Sequence, residues 1–327
     1  MTENKIGFGV LGPLQMSVDG APVPLGTPKQ RAVLAVLVMN RNRPVGTDSL
    51  ITAAWEQWPP SEARASLHSY ISNLRKLLGD SRSMLVNAPP GYSLTVGDSA
   101  CDISRFVLEK TAGVQAAAAG RFEQASDHLT TALAEWRGPV LEDLRDFQFV
   151  EAFATALTED KVVAHTARAE AEIACGRGYA VIGELESLTV EHPYREPLWA
   201  RLIIAYYLAD RQSEALDAYQ RLKTTLADDL GIDPGPTVRA LHERILREEP
   251  RTGRLSDNDI MLDNPNVSRH HAVIIDTGTS FVITDLRSAN GVDVANERIR
   301  GTATLADGDR IRICDHEFTF EIAPRET

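Results

Sequence analysis

Three short patterns in the last quarter of the chain have the makings of a phosphate site. Gly253-Arg254, Ser268-x-x-His271 and Asn290-Gly291 follow one another in that order. A phosphate dianion is best held by a bidentate cation together with short hydroxyl or amide donors. Arg254 has the guanidinium fork, Ser268 a hydroxyl, and Arg269 a further positive charge. Asn290, on a loop with Gly291, carries an amide able to bond the main chain of a peptide on both its edges. His271 is expected to stay inside and fix the loop by hydrogen bonding.

A second constellation lies near the start, in "SEARASLHSYISNLRKLLG", residues 61–79. Leu67, Ile71, Leu74 and Leu78 recur at helical spacing and predict a buried stripe, with Tyr70 and Leu77 beside it. The opposite face carries Arg64, His68, Ser69, Ser72, Arg75 and Lys76 and no carboxylate. Such a face suits a DNA major groove, where arginine reads guanine and serine or histidine meets base edges or phosphates.

The elements that must position these groups are legible around them. "IGFGVLGPLQMSVDGAPVPLG" reads as a small antiparallel sheet broken at Gly12-Pro13 and Asp19-Gly20. A helix follows with Thr27 as N-cap and Pro28 at its first position. "GTDSLITAAWEQW" gives a second helix stopped by Pro59-Pro60. The third helix is capped by Ser61 and ends at Gly79. "SMLVNAPPGYSLTV" then predicts strand, turn and strand, the shape of a wing. From about residue 100 the signal is helical. Trp199, Leu202, Tyr206, Ala215 and Tyr219 match the spacing of a tetratricopeptide repeat. Ala125, Leu129 and Ala132 fit the second half of an earlier copy, and a third, near Ala180, is degenerate. Such helix pairs stack into a short solenoid with a concave face. Beyond residue 249, "HAVIID", "SFVITDL", "VDVANERI", "DRIRIC" and "HEFTFEI" alternate or run apolar between turn residues, as strands do.

Composition narrows the function classes. With 43% apolar and 24% charged residues the chain is ordinary for a soluble globular protein. No apolar run of about 18 residues exists, and "MTENKIGFGV" lacks the charged start and apolar stretch of a signal peptide. A cytoplasmic location and no membrane partner are expected. Cys101, Cys175 and Cys314 are far apart and odd in number, which fits buried thiols in a reducing compartment and not a metal site. No nucleophile–base pattern, metal spacing or phosphate-cradling glycine loop stands out, so neither catalysis nor a cofactor is expected. The net charge of −12 is unevenly spread: residues 1–99 sum to +2, residues 100–248 to −9 and residues 249–327 to −5. Only the first third is electrostatically suited to nucleic acid.

These patterns resemble known families. The first stretch is similar to the winged-helix output domain of OmpR/PhoB-type response regulators. "SLHSYISNLRKLLGD" and "APPGYSL" look like the version found in the SARP family of transcriptional activators. The resemblance implies that Arg64, His68, Ser72 and Arg75 sit over bases, and that Lys29, Arg31, Lys76 and the wing residue Tyr92 sit near phosphates. A helical repeat domain directly after a winged helix, with "DDLGIDPGPTVRALHERIL" near its end, resembles the bacterial transcriptional activator domain of that family. Such domains are implied to serve homodimer contacts or contacts with RNA polymerase. "GRLSDNDI", "VSRHHAVI" and "LRSANGVDV" resemble the forkhead-associated (FHA) domain, a β-sandwich that binds phosphothreonine peptides. The whole plan resembles the EmbR group of SARP regulators, implied to answer to Ser/Thr protein kinases.

The expected architecture is therefore multidomain α and β: a winged helix-turn-helix at 1–99, an all-α TPR-like domain at 100–248, and a truncated all-β FHA sandwich at 249–327. The truncation is read from "LREEPRTGRLSDND". FHA domains place strands before the Gly-Arg loop, yet here a helix end lies almost against it. Loss of those strands predicts an open sheet edge, weaker core packing, an Arg254 without the strand that aims it, and weakened phosphate binding. Repair is the alternative, with a partner chain or the helical domain covering the edge. Two functions follow. One is sequence-specific binding of double-stranded DNA, to regulate transcription under the control of a Ser/Thr kinase or another phosphothreonine protein. The other is an adaptor or decoy that binds a kinase or a full-length regulator and dampens its signal.

Overall fold

The computed structural model describes residues 5–246, 251–253, 260–268, 271–276, 280–286, 288–299 and 301–322. The chain divides into two compact units, Met1–Ala112 with His128–His165, and Gly113–Asp127 with Thr166–Thr327.

The first unit opens with a three-stranded antiparallel sheet, β1 (Ile6–Gly9), β2 (Gln15–Val18) and β3 (Ala21–Pro22). Asp19 and Gly20 turn β2 into β3 with positive φ values of 53° and 82°, the left-handed pair that a tight hairpin requires. Helix α1 (Pro28–Met39) starts as its sequence predicts, with Thr27 Oγ1 accepting from Gln30 N at 3.3 Å and Pro28 in the first position. Next come β4 (Val45–Gly46), α2 (Thr47–Trp55) and α3 (Ala63–Leu78). α2 ends at Trp55, ahead of Pro59-Pro60, where Glu56 takes a positive φ. Ser61 does not cap α3: the N-cap is Glu62, without a side-chain bond. The Pro59-Pro60 turn does that work, because Pro60 O accepts from Ala63 N at 3.0 Å. Ala63, Leu67, Ile71, Leu74 and Leu78 are buried, and Gly79 ends the helix with φ 57°. The wing is β5 (Leu85–Ala88) and β6 (Gly91–Leu94), in a sheet of order β4-β6-β5. A Cβ on Gly91 would lie 2.2 Å from Val45 O, so only glycine lets β6 pass β4 this closely.

Three long helices follow: α4 (Asp102–Ala118), α5 (Phe122–Leu133) and α6 (Gln148–Ala174). The wing leads into α4 without a free linker. The Asp102 carboxylate, 2% exposed, accepts from Val10 N at 2.8 Å, Leu11 N at 2.9 Å and Ile103 N at 2.8 Å, and meets Arg137 Nη2 at 3.2 Å. It satisfies donors of both the first sheet and the helix N-terminus, which would be costly to bury unpaired.

The helices of the second unit include α7 (Ile182–Glu191), α8 (Glu196–Leu208), α9 (Gln212–Leu230) and α10 (Pro236–Leu246). Trp199, Leu202, Tyr206, Ala215 and Tyr219 are all buried, as are Ala125, Leu129 and Ala132, so the repeat spacing marks packing positions. Ala180 lies in a short 3-10 turn, residues 178–181, that leads into α7.

The β-sandwich comprises β7 (Arg251–Gly253), β8 (Ile260–Met261), β9 (Ala272–Asp276), β10 (Phe281–Asp285), β11 (Val292–Val294), β12 (Glu297–Arg298), β13 (Thr302–Leu305), β14 (Arg310–Ile313) and β15 (His316–Thr319). One sheet has the order β13-β10-β9-β7-β8 and the other β12-β11-β14-β15. Leu262, Val267, Ile283, Val292, Val294, Leu305, Ile311 and Ile313 form the core between them. The far face of β9 and β10 is buried too. Ile275, Val282 and Thr284 meet Phe122, Ile173 and Ile204 of the helical part across a narrow seam. Helices thus cover a sheet face and not an edge.

One expectation needs correction. The segment leading to Arg254 is itself a strand: β7 pairs antiparallel with β9 and parallel with β8, and Thr252 O accepts from His271 N at 2.8 Å. Three residues suffice because β7 has a partner on each side.

Candidate DNA-reading face and phosphate loop

Helix α3 displays Arg64, His68, Ser69, Ser72 and Lys76 on its exposed side. Arg64 Nη2 lies 2.8 Å from Asp48 Oδ1, with 70% and 83% of the two side chains exposed. A pair so solvated holds its partner loosely, leaving Arg64 able to exchange Asp48 for another acceptor. Ser69 Oγ donates back to Ala65 O at 3.1 Å. At the start of α1, exposed Lys29 holds Nζ 5.3 Å from the Trp55 ring centre.

Three expected DNA contacts are engaged elsewhere. Tyr92 is 5% exposed on β6 and so lies in the core, with its hydroxyl 2.9 Å from His68 Nδ1. It orients His68 and is not available to phosphates. Arg31 is half-buried and ion-paired with Asp143 at 2.9 Å. Arg75, expected over bases, turns onto the wing: Nε donates to Leu85 O at 2.8 Å and Nη2 to Asn87 Oδ1 at 2.9 Å. Its guanidinium also lies 5.9 Å from the Tyr92 ring centre. Arg75 thereby joins the helix to the wing. The sequence reading passed over Asn87, which receives this brace, and Arg82, an exposed cation in the 3-10 turn Gly79–Met84. Their only signal was position, between an expected helix and an expected wing.

In the sandwich, Arg254 and Arg269 lie outside the described residues. Ser268 and Asn290 come together on adjacent loops. His271, fully buried, accepts at Nδ1 from Ser268 N at 3.0 Å, while its Nε2 lies 3.0 Å from Gly291 O. An accepting Nδ1 and a carbonyl opposite Nε2 require the tautomer protonated at Nε2. His271 therefore ties both loops from beneath, as its position in the pattern suggested. Ser268 Oγ accepts from Ala289 N at 3.0 Å, a bond that uses a lone pair and not its O–H. Asn290 Nδ2 donates to Asn266 O at 2.7 Å, using one of its two hydrogens. Gly291, at φ 65°, makes the turn, and its N–H donates to Ser288 Oγ at 2.8 Å. Asn266 and Ser288 were missed, although Ser288-x-Asn-Gly is a recognisable hydroxyl-stabilised turn. Beside the loops, burial pushes the Cys314 thiol up in pKa.

Among the described residues there is no group of three or more potential metal-ligating side chains. No described helix is long and apolar enough to cross a membrane.

Comparison with known proteins agrees with this arrangement. Residues 20–94 match the family described as "Transcriptional regulatory protein, C terminal", residues 101–246 the "Bacterial transcriptional activator domain", and residues 251–314 the "FHA domain". The chain is 65% identical to the transcriptional regulatory protein EmbR of Mycobacterium tuberculosis and of Mycobacterium bovis, over 98% of this chain and 96% of the relative. That alignment spans 374 positions yet takes in 98% of 327 residues, so about 50 positions of EmbR have no counterpart here. MoaR1 of Mycobacterium tuberculosis is 53% identical over 76% of this chain and 82% of its own. A solved structure, Mycobacterium tuberculosis EmbR in complex with a low-affinity phosphopeptide, superposes with a TM-score of 0.73 at 63% identity, covering 99% of this chain and 100% of that one. With such identity along nearly all of both chains, this protein belongs to the EmbR group of SARP-family transcriptional regulators.

Proposed function

We propose that this regulator binds double-stranded DNA sequence-specifically through the exposed side of α3 and is governed by a phosphothreonine protein at the Ser268–Asn290 loops. The observation that carries the second half is the pair of loops held by buried His271, which bring Ser268 and Asn290 together, with β7 leading into Arg254. Arg254 supplies the fork and Arg269 additional charge. The phosphopeptide complex of the 63%-identical EmbR supports the same ligand class. A Ser/Thr protein kinase that phosphorylates itself on threonine is the partner this implies. The helical repeats serve a homodimer or RNA polymerase contacts, and the protein works in the cytoplasm as a regulator and not an enzyme.

The test is titration of the full chain with a phosphothreonine peptide, its unphosphorylated form and its phosphoserine form. The phosphothreonine peptide binds at least about tenfold tighter than the other two, and Ser268→Ala and Arg254→Ala each remove about tenfold or more, each tenfold being about 1.4 kcal/mol. Equal binding of phosphorylated and plain peptides refutes it. A second reading has one observation behind it. Arg31, Arg75 and Tyr92 are all engaged within the fold, which leaves one group fewer for bases and two fewer for phosphates and favours an adaptor that dampens a kinase or a full-length relative. Binding sites enriched from a random duplex pool would decide against that reading.

A further inference from the structure

The four-stranded sheet ends on β15, and no described strand pairs with its outer edge. Phe320 N donates to Asp309 O at 2.8 Å, and Gly308 N donates to Phe320 O at 2.8 Å. Because main-chain groups alternate in direction along an antiparallel strand, those of Glu317, Thr319 and Glu321 point away from β14. Neither proline nor lysine lies in residues 316–322; the segment carries the acids Glu317 and Glu321 instead, so the edge repels acidic strands and not basic ones.

The side chains define what would fit there. Strand register aligns Arg298, Asp293, Arg312 and Glu317 in one row across the outer face. Arg298 Nη1 lies 3.7 Å from Asp293 and Arg312 Nη2 lies 2.8 Å from it. The charges alternate in sign along the row, which stops at the free edge on Glu317, whose carboxylate lies 3.3 Å from Arg310 Nη1 in an exposed and therefore exchangeable pair. The next row starts on β12 with exposed Glu297 and continues toward the free edge, on the inner face, as Val294, Ile311 and Phe318. Phe318 and Phe320 are only half-buried, and the Phe320 ring lies 5.1 Å from that of Phe281.

We propose that the free edge of β15 accepts an extended segment of a partner protein as a fifth strand, with lysine or arginine facing Glu317 and apolar residues facing Phe318 and Phe320. A cation continues the alternating row; an apolar neighbour completes the inner row. A second copy of this chain fits less well. Self-pairing about Thr319 sets Glu317 of one copy opposite Glu321 of the other, and pairing about Phe318 sets Asp315 opposite Glu321. Like charges directly opposed destabilise a strand pair. None of the phosphate-loop residues takes part, so this inference and the phosphopeptide reading fail separately.

The experiment uses the full chain and a fluorescent peptide of about ten residues, lysine alternating with valine, followed by anisotropy. The controls are the same residues with the lysines gathered in one block, and glutamate alternating with valine. The alternating lysine peptide binds at least about tenfold tighter than either control. Thr319→Pro places its ring where the outward N–H was and spares the β14–β15 ladder; it removes that advantage. Glu317→Lys reverses the preference toward the glutamate peptide, and it decides the matter alone if Thr319→Pro does not fold by circular dichroism. Equal binding of the alternating and blocked lysine peptides would overturn the proposal, since charge attraction to an acidic chain would explain both. So would binding unchanged in both variants, or a dimer of the free chain that Thr319→Pro dissolves.

Discussion

Arg75 and Arg64 sit on the same helix and carry the same charge, yet the structure separates their roles. Arg75 makes two hydrogen bonds, to Leu85 O and Asn87 Oδ1. A hydrogen bond from a charged donor contributes about 1.5–3 kcal/mol when buried. Here the guanidinium is half-buried and Asn87 exposed, so solvent takes back part of that. Arg75→Ala is therefore expected to cost about 1–3 kcal/mol in all. In a unit of about 150–250 residues, each kcal/mol lowers Tm by roughly 2–4 °C. The variant loosens the wing, so DNA affinity falls on every sequence while the order of preferred bases is kept. Arg64→Ala does the opposite. Its partner Asp48 is almost fully solvated, so Tm hardly moves, but discrimination at one base pair drops by about 1–3 kcal/mol. The assay is a melting curve for each variant, together with titrations on a site selected from a random pool and on single-base variants of it. An Arg75→Ala protein that keeps its Tm and loses one base preference would refute the reasoning, as would an Arg64→Ala protein with unchanged selectivity.

Two further outcomes follow from the helical part. Trp199 is 4% exposed and its Nε1 donates to Pro193 O at 2.9 Å, so Trp199→Ala costs about 3–5 kcal/mol by chemical denaturation; a variant that melts with the wild type contradicts the packing. His242 stacks on Tyr219 with ring centres 3.8 Å apart, and burial, helped by Lys223, holds its pKa below 6.5 despite Glu243. A depressed folded pKa means the unfolded chain takes up the proton first, so stability is full above pH 6.5 and is lost as pH falls from there through the folded value. His242→Gln flattens Tm against pH in that window, and an unchanged acid slope in the variant would show that His242 is not its source.

What the sequence made legible was local. Thr27 and Pro28 start α1 because a cap needs only residues three positions apart. The stripe Leu67, Ile71, Leu74 and Leu78, and the repeat positions around Trp199, are visible because helical periodicity repeats within a few turns. His271 was legible as an interior residue because the loop pattern needs something beneath it. The misplacements share a different cause. Arg75, Tyr92 and Arg31 each look like free surface cations or wing donors until their partners arrive from other elements: Leu85 and Asn87 from the wing, His68 from α3, and Asp143 from the far side of α5. Spacing along a helix gives the direction of a side chain but not what another strand will place against it. Ser61 failed in the same way, displaced by the carbonyl of Pro60.

The strand before Arg254 was missed for a related reason. A short lead-in suggested that Arg254 had lost its support, on the assumption that support comes from preceding sequence. The three residues before Arg254 nevertheless form a strand, β7, held by β9 and β8, and His271, on the loop before β9, bonds to Thr252, Ser268 and Gly291. β7, β8 and β9 belong to the five-stranded sheet, whose far face at β9 and β10 meets helices, and Gly291 leads into β11 of the other sheet. On the opposite sheet, no described strand pairs with the outer edge of β15, where Phe318 and Phe320 are half-buried. The loops that would grip a phosphate and the outer edge of β15 lie on different elements, so binding at one does not require binding at the other. The outer edge of β15 keeps outward main-chain groups and ends an alternating row of charge, the two features from which the proposed recognition rule is drawn.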